Sequence, residues 1–442
     1  MPTNPLGFLM PQDSPPQLST IAYKVGEFVE NAIDHSIAGS ALEAPLLEEG
    51  APMAPDTWYR KLLPEGLSGD GSPYHIYVRR GSSRNLCIFL SGGGIAWNPY
   101  TAARPVTGGR TAAWLPNYYW ENLRPFTQIM NIHNGITATL EAINPFHDWN
   151  FMVVTYSTGD MHLGDAELAY RPLTDDPDGG PQEEQEEQIL HFHGHKNFLA
   201  AMETCRAFFP DPEKLLIAGD SAGAFAVPAV AEEIADSYYP GVSDITLLSD
   251  SAQLYYGRWR HVLRKVWHTE KARWKDVNGS CLALEWYRAL YERNGKRFRC
   301  LYAGSTRDYL LSAFYSDMHY KEYRTDASLQ NLYFKQMRRM VRDLKDLDPE
   351  FGIFVYDFRH PSLAGGGTIH TAVRQPAFFL KASSGVSMAQ WLSQAVEGNV
   401  CDAGLELLRL PGRDRGPAAS GRRKKKPSAG PEAEESPGEK AE

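Results

Sequence analysis

In the segment "LLIAGDSAGAFAVPAV", Leu215 to Val230, Gly219, Ser221 and Gly223 form a Gly-x-Ser-x-Gly pattern. That spacing has a mechanical reason. On a sharp strand-to-helix turn a serine is forced into unfavourable backbone dihedrals, and only small flanking residues avoid clashes. The apolar run before Gly219 supplies a strand and the alanine-rich run after Gly223 supplies a helix. The helix N-terminus then aims its free N–H groups and positive dipole end at the reaction centre. The competing interpretation is a plain serine in a strand-to-helix loop.

Acyl transfer at Ser221 needs donors for a tetrahedral oxyanion, usually backbone N–H groups of a Gly-rich loop after an earlier strand. "IFLSGGGIAWN" supplies Gly92, Gly93 and Gly94 directly after an apolar run, well ahead of the serine. This is the order of an α/β-hydrolase, in which an acid and then a histidine follow the serine. Five histidines follow Ser221: His261, His268, His319, His360 and His370. His370, in the Gly-rich "AGGGTIHTAV" after the last apolar run, is the preferred general base, with His360 in reserve. Asp308 in "RCLYAGSTRDYLL" is the preferred acid, while Asp250 and Asp357 remain alternatives. Asp160 and His162 in "YSTGDMHLGD" follow another strand end and are expected either to line the same cleft or to be structural. His191, His193 and His195 alternate in "HFHGHKN", but no Asp or Cys spacing accompanies them, so no metal is expected. No cofactor is expected either.

The elements that must carry these residues are legible as compact apolar runs. "HIYVRR" and "NLCIFLSG" predict a hairpin or two adjacent strands, and further strands are expected over 149–157, 214–219, 244–249, 299–304 and 351–358. Such runs look like interior strands buried on both faces. Amphipathic segments alternate with them: "HKNFLAAMETCRAFF", "AFAVPAVAEEIADSYY" and "SLQNLYFKQMRRMVRDLKDL". The expectation is a single-domain α/β fold, mainly a parallel sheet with helices on both faces and ligands at the carboxyl ends of the strands. Residues 1–57 are read as an N-terminal lead-in with one helix, "AYKVGEFVENAIDHSI"; residues 58–410 as the α/β-hydrolase-like domain; and 411–442 as a disordered charged tail. The basic run Arg422 to Lys426 within that tail and the acidic stretch 173–188 are both read as solvated.

The 442 residues, 43% hydrophobic and 22% charged, have the composition of a globular protein. A net charge of −9 argues against a nucleic-acid surface, which needs clustered Lys and Arg. No apolar run approaches the roughly 20 residues that span a bilayer. Five widely spaced cysteines without CxxC pairs fit a reducing compartment, although Cys281 and Cys300 could pair, and no secretory signal is read, so a cytoplasmic location is expected.

The motifs "SGDGSPYHIYVRRG", "SGGGIAWN", "YSTGDMHLGD", "AGDSAGAFAVP", "LLSDSAQ", "STRDYLLSAFY" and "GGGTIHTAV" occur in the order of the pectin acetylesterase family, which includes the Notum-type carboxylesterases. Residues 58 to 400 resemble that family. The resemblance implies hydrolysis of O-acyl esters, most simply acetyl esters of a carbohydrate, by a Ser-Asp-His triad. Matched motif by motif, the nucleophile falls on Ser221, the acid on Asp308, the base on His370 and the oxyanion hole on the backbone of Gly93, Gly94 and Ala222. Ala96 and Ser157 stand where many members have cysteine. Two other functions fit the same motifs: deacylation of a lipidated protein, and non-catalytic binding on a hydrolase scaffold.

Overall fold

The computed structural model describes residues 16–172, 186–361 and 365–409. The charged tail and most of the acidic stretch therefore lie outside the described residues. One compact unit runs through Leu408; the second, Arg409–Glu442, is described only at its first residue.

Among the described residues ten strands are formed: β1 (Trp58–Leu67), β2 (Pro73–Arg79), β3 (Leu86–Leu90), β4 (Asn150–Val154), β5 (Ala166–Tyr170), β6 (Gln188–Phe192), β7 (Leu215–Asp220), β8 (Ile245–Asp250), β9 (Arg299–Ser305) and β10 (Gly352–Tyr356). Eight make one sheet in the order β1-β2-β4-β3-β7-β8-β9-β10, and β5 pairs with β6 separately. From β4 to β10 every neighbouring pair is parallel, while β1, β2 and β4 pair antiparallel. This is the α/β-hydrolase-like architecture expected from the alternating pattern. The predicted pairing of "HIYVRR" with "NLCIFLSG" is corrected: β4 inserts between β2 and β3, so the two runs are neither a hairpin nor neighbours. The linker Gly81-Ser82-Ser83-Arg84 looks like a hairpin turn, but nothing local indicates that a strand beginning at Asn150 takes the place beside β3.

Strand order reverses direction at β3, which has β4 on one side and β7 on the other. The chain leaves β3 toward β4, then returns to β7 and continues outward through β8, β9 and β10. At such a switch point the connections diverge above and below the sheet, opening a crevice at the carboxyl ends of the two strands. Ser91 to Gly94 and Ser221 sit at those ends.

Alternation along each strand builds a core on both faces. In β3, Leu86, Ile88 and Leu90 enter one hydrophobic cluster, and Cys87 and Phe89 the other. The first cluster is covered by the helices Gly194–Phe208, Ala222–Glu233, Leu282–Asn294 and Ala327–Leu347; the second by Met388–Val396 and irregular segments around Ile136, Phe146 and Phe378. The Ala222–Glu233 helix is apolar on all sides and buried along its first ten residues, so it can only be an interior element. Its Pro228 has no N–H to donate to the Ala224 carbonyl. Ser249 on β8 fills that gap, its Oγ donating to Ala224 O at 2.8 Å.

The N-terminal helix Pro16–Ile37 is anchored through Asp34, which accepts from Arg124 Nε at 2.5 Å and Phe126 N at 2.6 Å. All five cysteines are free, including Cys281 and Cys300; Cys281 Sγ lies 3.6 Å from Met340 Sδ instead. No helix among the described residues is long and apolar enough to cross a membrane.

Candidate active site

Ser221 sits between β7 and its helix with φ 50° and ψ −123°, a conformation that costs a non-glycine residue of order 1–3 kcal/mol and persists only where surroundings enforce it. Enforcement comes from both sides. The Ser221 amide donates to the Asp250 carbonyl at 2.9 Å. On the far side, a Cβ at Gly223 would run into the Leu90 carbonyl, so the glycine lets the helix start against the end of β3. Glycine is equally required at Gly92, where a Cβ would lie 2.7 Å from Cβ of Ser221. The glycine loop thus packs directly on the serine turn.

That loop is held by its carbonyls and leaves amides unused. Gly93 O accepts from Trp120 N at 2.9 Å, and Ile95 N donates to Tyr118 O at 2.8 Å. Gly92 N is occupied by Asp220 Oδ1 at 2.8 Å. Among the described residues the amides of Gly93, Gly94 and Ala222 donate to no protein acceptor. Behind the loop, His162 Nε2 donates to Ser91 O at 2.9 Å, and Trp267 Nε1 donates to Ala96 O at 2.7 Å.

Asp308 caps the Tyr309–Tyr320 helix: its Oδ1 accepts from the amides of Leu310 and Leu311, both at 2.9 Å. Its Oδ2 accepts from His370 Nδ1 at 2.6 Å. The carboxylate is fully buried and His370 is nearly so. Because Nδ1–H donates to Asp308, Nε2 presents its lone pair, and among the described residues Nε2 has no hydrogen-bond partner. The structure therefore brings Asp308 and His370 together and leaves the bond from Ser221 to His370 unmade. Catalytic hydrogen bonds commonly tighten only around the reacting substrate.

Asp250 links the serine turn to the segment that carries the histidine. While its carbonyl holds Ser221, its Oδ2 accepts from Ala372 N at 2.6 Å and Val373 N at 2.8 Å, and its Oδ1 accepts from Tyr356 OH at 2.9 Å. Burial pushes this carboxyl above the usual range and those hydrogen bonds oppose the rise. Asp250 is thus spoken for and does not reach His370. Asp357, the other alternative acid, accepts from Ser383 Oγ at 2.5 Å. The reserve base His360 stacks flat on Tyr309 at 3.7 Å between ring centroids.

Asp160 and His162 prove to be interior residues rather than cleft lining. Asp160 accepts from Thr158 Oγ1 at 2.6 Å and Gly194 N at 2.8 Å; burial raises it to about 6. Burial lowers His162 to about 4, which keeps it neutral. His191 faces Glu167, His193 Nε2 contacts the Glu65 carbonyl and His195 stacks on Phe198, so the alternating histidines diverge. Ala96 and Ser157, at the two positions lacking cysteine, lie in segments joined by the bond from Ala96 N to Gly159 O at 2.8 Å.

A serine on an enforced turn, free amides on an adjoining glycine loop and a buried acid–imidazole pair have the makings of an ester hydrolase. Residues 65–257 match the model of the pectinacetylesterase family. No curated protein matches the chain. The pectinacetylesterase match carries the resemblance drawn from the motifs and supports carboxylic-ester hydrolysis as the activity. It spans the glycine loop and Ser221 and ends before Asp308 and His370, which follow β9 and β10. The sequence reading passed over Arg374, a buried guanidinium four residues after His370, and Asp220, the residue before Ser221.

Proposed function

We propose that this chain is a serine esterase that removes a small acyl group, most simply acetyl, from a carbohydrate or other acylated alcohol. The observation that carries the proposal is the Asp308–His370 pair, with its Nε2 lone pair uncommitted, on a segment fastened to the same Asp250 that holds the Ser221 turn. His370 Nε2 takes the Ser221 proton as Oγ adds to the ester carbonyl, and Asp308 stabilises the imidazolium. The amides of Gly93, Gly94 and Ala222 hold the oxyanion; one such donor is typically worth about 3 kcal/mol in the transition state. Collapse expels the alcohol with the proton from His370, leaving acyl-Ser221. Water, deprotonated by the same histidine, then releases the acid and restores the serine.

A fluorophosphonate should label the folded protein at Ser221 and leave Ser221→Ala unmodified, as read by peptide mass spectrometry. Failure to label the folded wild type refutes the serine mechanism. A p-nitrophenyl series from acetate to octanoate then separates short-acyl from long-acyl specificity, the proposal requiring the highest kcat/KM at the short end. Unchanged ester cleavage by Ser221→Ala would favour a binding protein.

A further inference from the structure

A buried ion pair joins the three segments on which the proposed chemistry depends. Arg374 and Asp220 are each 5% exposed in their side chains, and Arg374 Nη2 lies 2.8 Å from the Asp220 carboxylate. Arg374 Nη1 donates to Ser91 Oγ at 2.9 Å and to Asn131 Oδ1 at 3.0 Å. Asp220 in turn accepts from the Gly92 amide at 2.8 Å, and Ser91 Oγ donates to Asn131 at 2.6 Å. One guanidinium therefore contacts the residue before the nucleophile and the root of the glycine loop, from a position four residues beyond His370.

We propose that Arg374 is a positioning residue that locks the Ser221 turn, the Gly93–Gly94 amides and the His370 segment into one register. The inference rests on the serine-esterase reading above. Stability alone is a weak reason for such a pair, because desolvating both charges costs several kcal/mol, and well-packed apolar residues often serve as well. What the planar fork supplies is direction: its N–H groups point at several acceptors in fixed geometry, which a lysine ammonium on a flexible stem does not reproduce. The need for that direction is plain in the open contact between His370 Nε2 and the serine. Two segments converging from different strands must meet to within a hydrogen bond, and a misplacement of about 1 Å in a reacting group can cost roughly 10²-fold in rate.

The test compares wild type, Arg374→Gln, Arg374→Lys, Arg374→Ala and the apolar double variant Asp220→Leu/Arg374→Met. The readouts are the fluorophosphonate labelling rate at Ser221, kcat and KM on p-nitrophenyl acetate, and thermal unfolding. The double variant replaces the ion pair with apolar groups but leaves the Gly92 amide without its acceptor, so it is expected to fold and to melt below wild type. All variants are expected to label and turn over roughly 10²-fold more slowly, with KM changed far less. Added guanidinium, at concentrations well below denaturing, is expected to restore part of the Arg374→Ala rate beyond what sodium does at equal ionic strength. A folded Gln or double variant that labels at the wild-type rate overturns the positioning role, as does guanidinium acting no better than sodium. A wild type that does not label overturns the esterase reading instead, so the two failures are distinct.

Discussion

Asp308 performs two tasks with two different oxygens, and that division allows them to be separated by substitution. Oδ1 caps a helix by accepting from Leu310 and Leu311, while Oδ2 accepts from His370. Asparagine retains one carbonyl oxygen and is as good a cap as aspartate, so Asp308→Asn should keep the helix start. Its amide, however, can meet His370 only as a donor, which favours the tautomer with the proton on Nε2 and removes the base. The expected loss in kcat is on the order of 10⁴-fold, with little change in unfolding midpoint. Asp308→Ala removes both tasks: about 1 kcal/mol for the cap and about 1–3 kcal/mol for leaving the buried Nδ1–H unpaired, alongside a similar loss of turnover. Urea unfolding and p-nitrophenyl acetate kinetics on the two variants give the comparison. If Asp308→Asn turns over at the wild-type rate, the carboxylate does not set the imidazole tautomer. If Asp308→Ala is as stable as wild type, the capping argument fails.

Gly223→Ala should be destabilised by about 1–3 kcal/mol or more, since its Cβ meets the backbone of β3, whereas Gly241→Ala, with nothing within 4 Å, should be neutral in the same melt. Trp267→Phe leaves the Ala96 carbonyl without its donor, and a loss of about 1–3 kcal/mol together with slower ester turnover is expected; normal kinetics would show that this anchor does not steady the glycine loop. Acid should weaken the fold through His75 and His162, which burial lowers to about 3 and about 4. Both stay neutral when folded, so the unfolded chain takes up their protons first as pH falls below about 6.5, and stability drops by up to about 1.4 kcal/mol per pH unit for each. Asp160, raised to about 6, opposes one of them because the folded state protonates first. His75→Gln should therefore flatten the fall in urea midpoint between pH 6.5 and 4, and an unaltered slope would refute the assignment.

The interior strands and the serine turn were readable because each is written in contiguous residues: apolar runs for β3, β4, β7, β8, β9 and β10, and glycines at positions such as Gly92 and Gly223, where a Cβ would collide. Those runs were matched within a few residues, and the helix over Ala327–Leu347 within one. What escaped is what depends on partners far apart. The place of β4 beside β3 follows from burial of both faces and is not marked by any local turn. Asp308 and His370 are 62 residues apart; their neighbouring motifs single each of them out, but nothing local signals the contact between them. Arg374 and Asp220, 154 residues apart, have no such motif to announce them, because a buried charge pair is visible only once the fold has removed both from water. Asp160 and His162 misled for the complementary reason: polar residues after a strand end are as useful for holding loop backbone as for lining a cleft.

Since β3, β7, β8, β9 and β10 are parallel, the entry ends of these strands all lie at the edge of the sheet opposite Ser221. Gly295, exposed with φ 54° and open space around the position a Cβ would take, sits in the turn leading into β9 at that edge. A reporter or affinity domain spliced into this turn would be carried with its back to the crevice that holds Ser221, so the turn offers an attachment point for immobilisation or tethering that leaves the approach to Ser221 unobstructed.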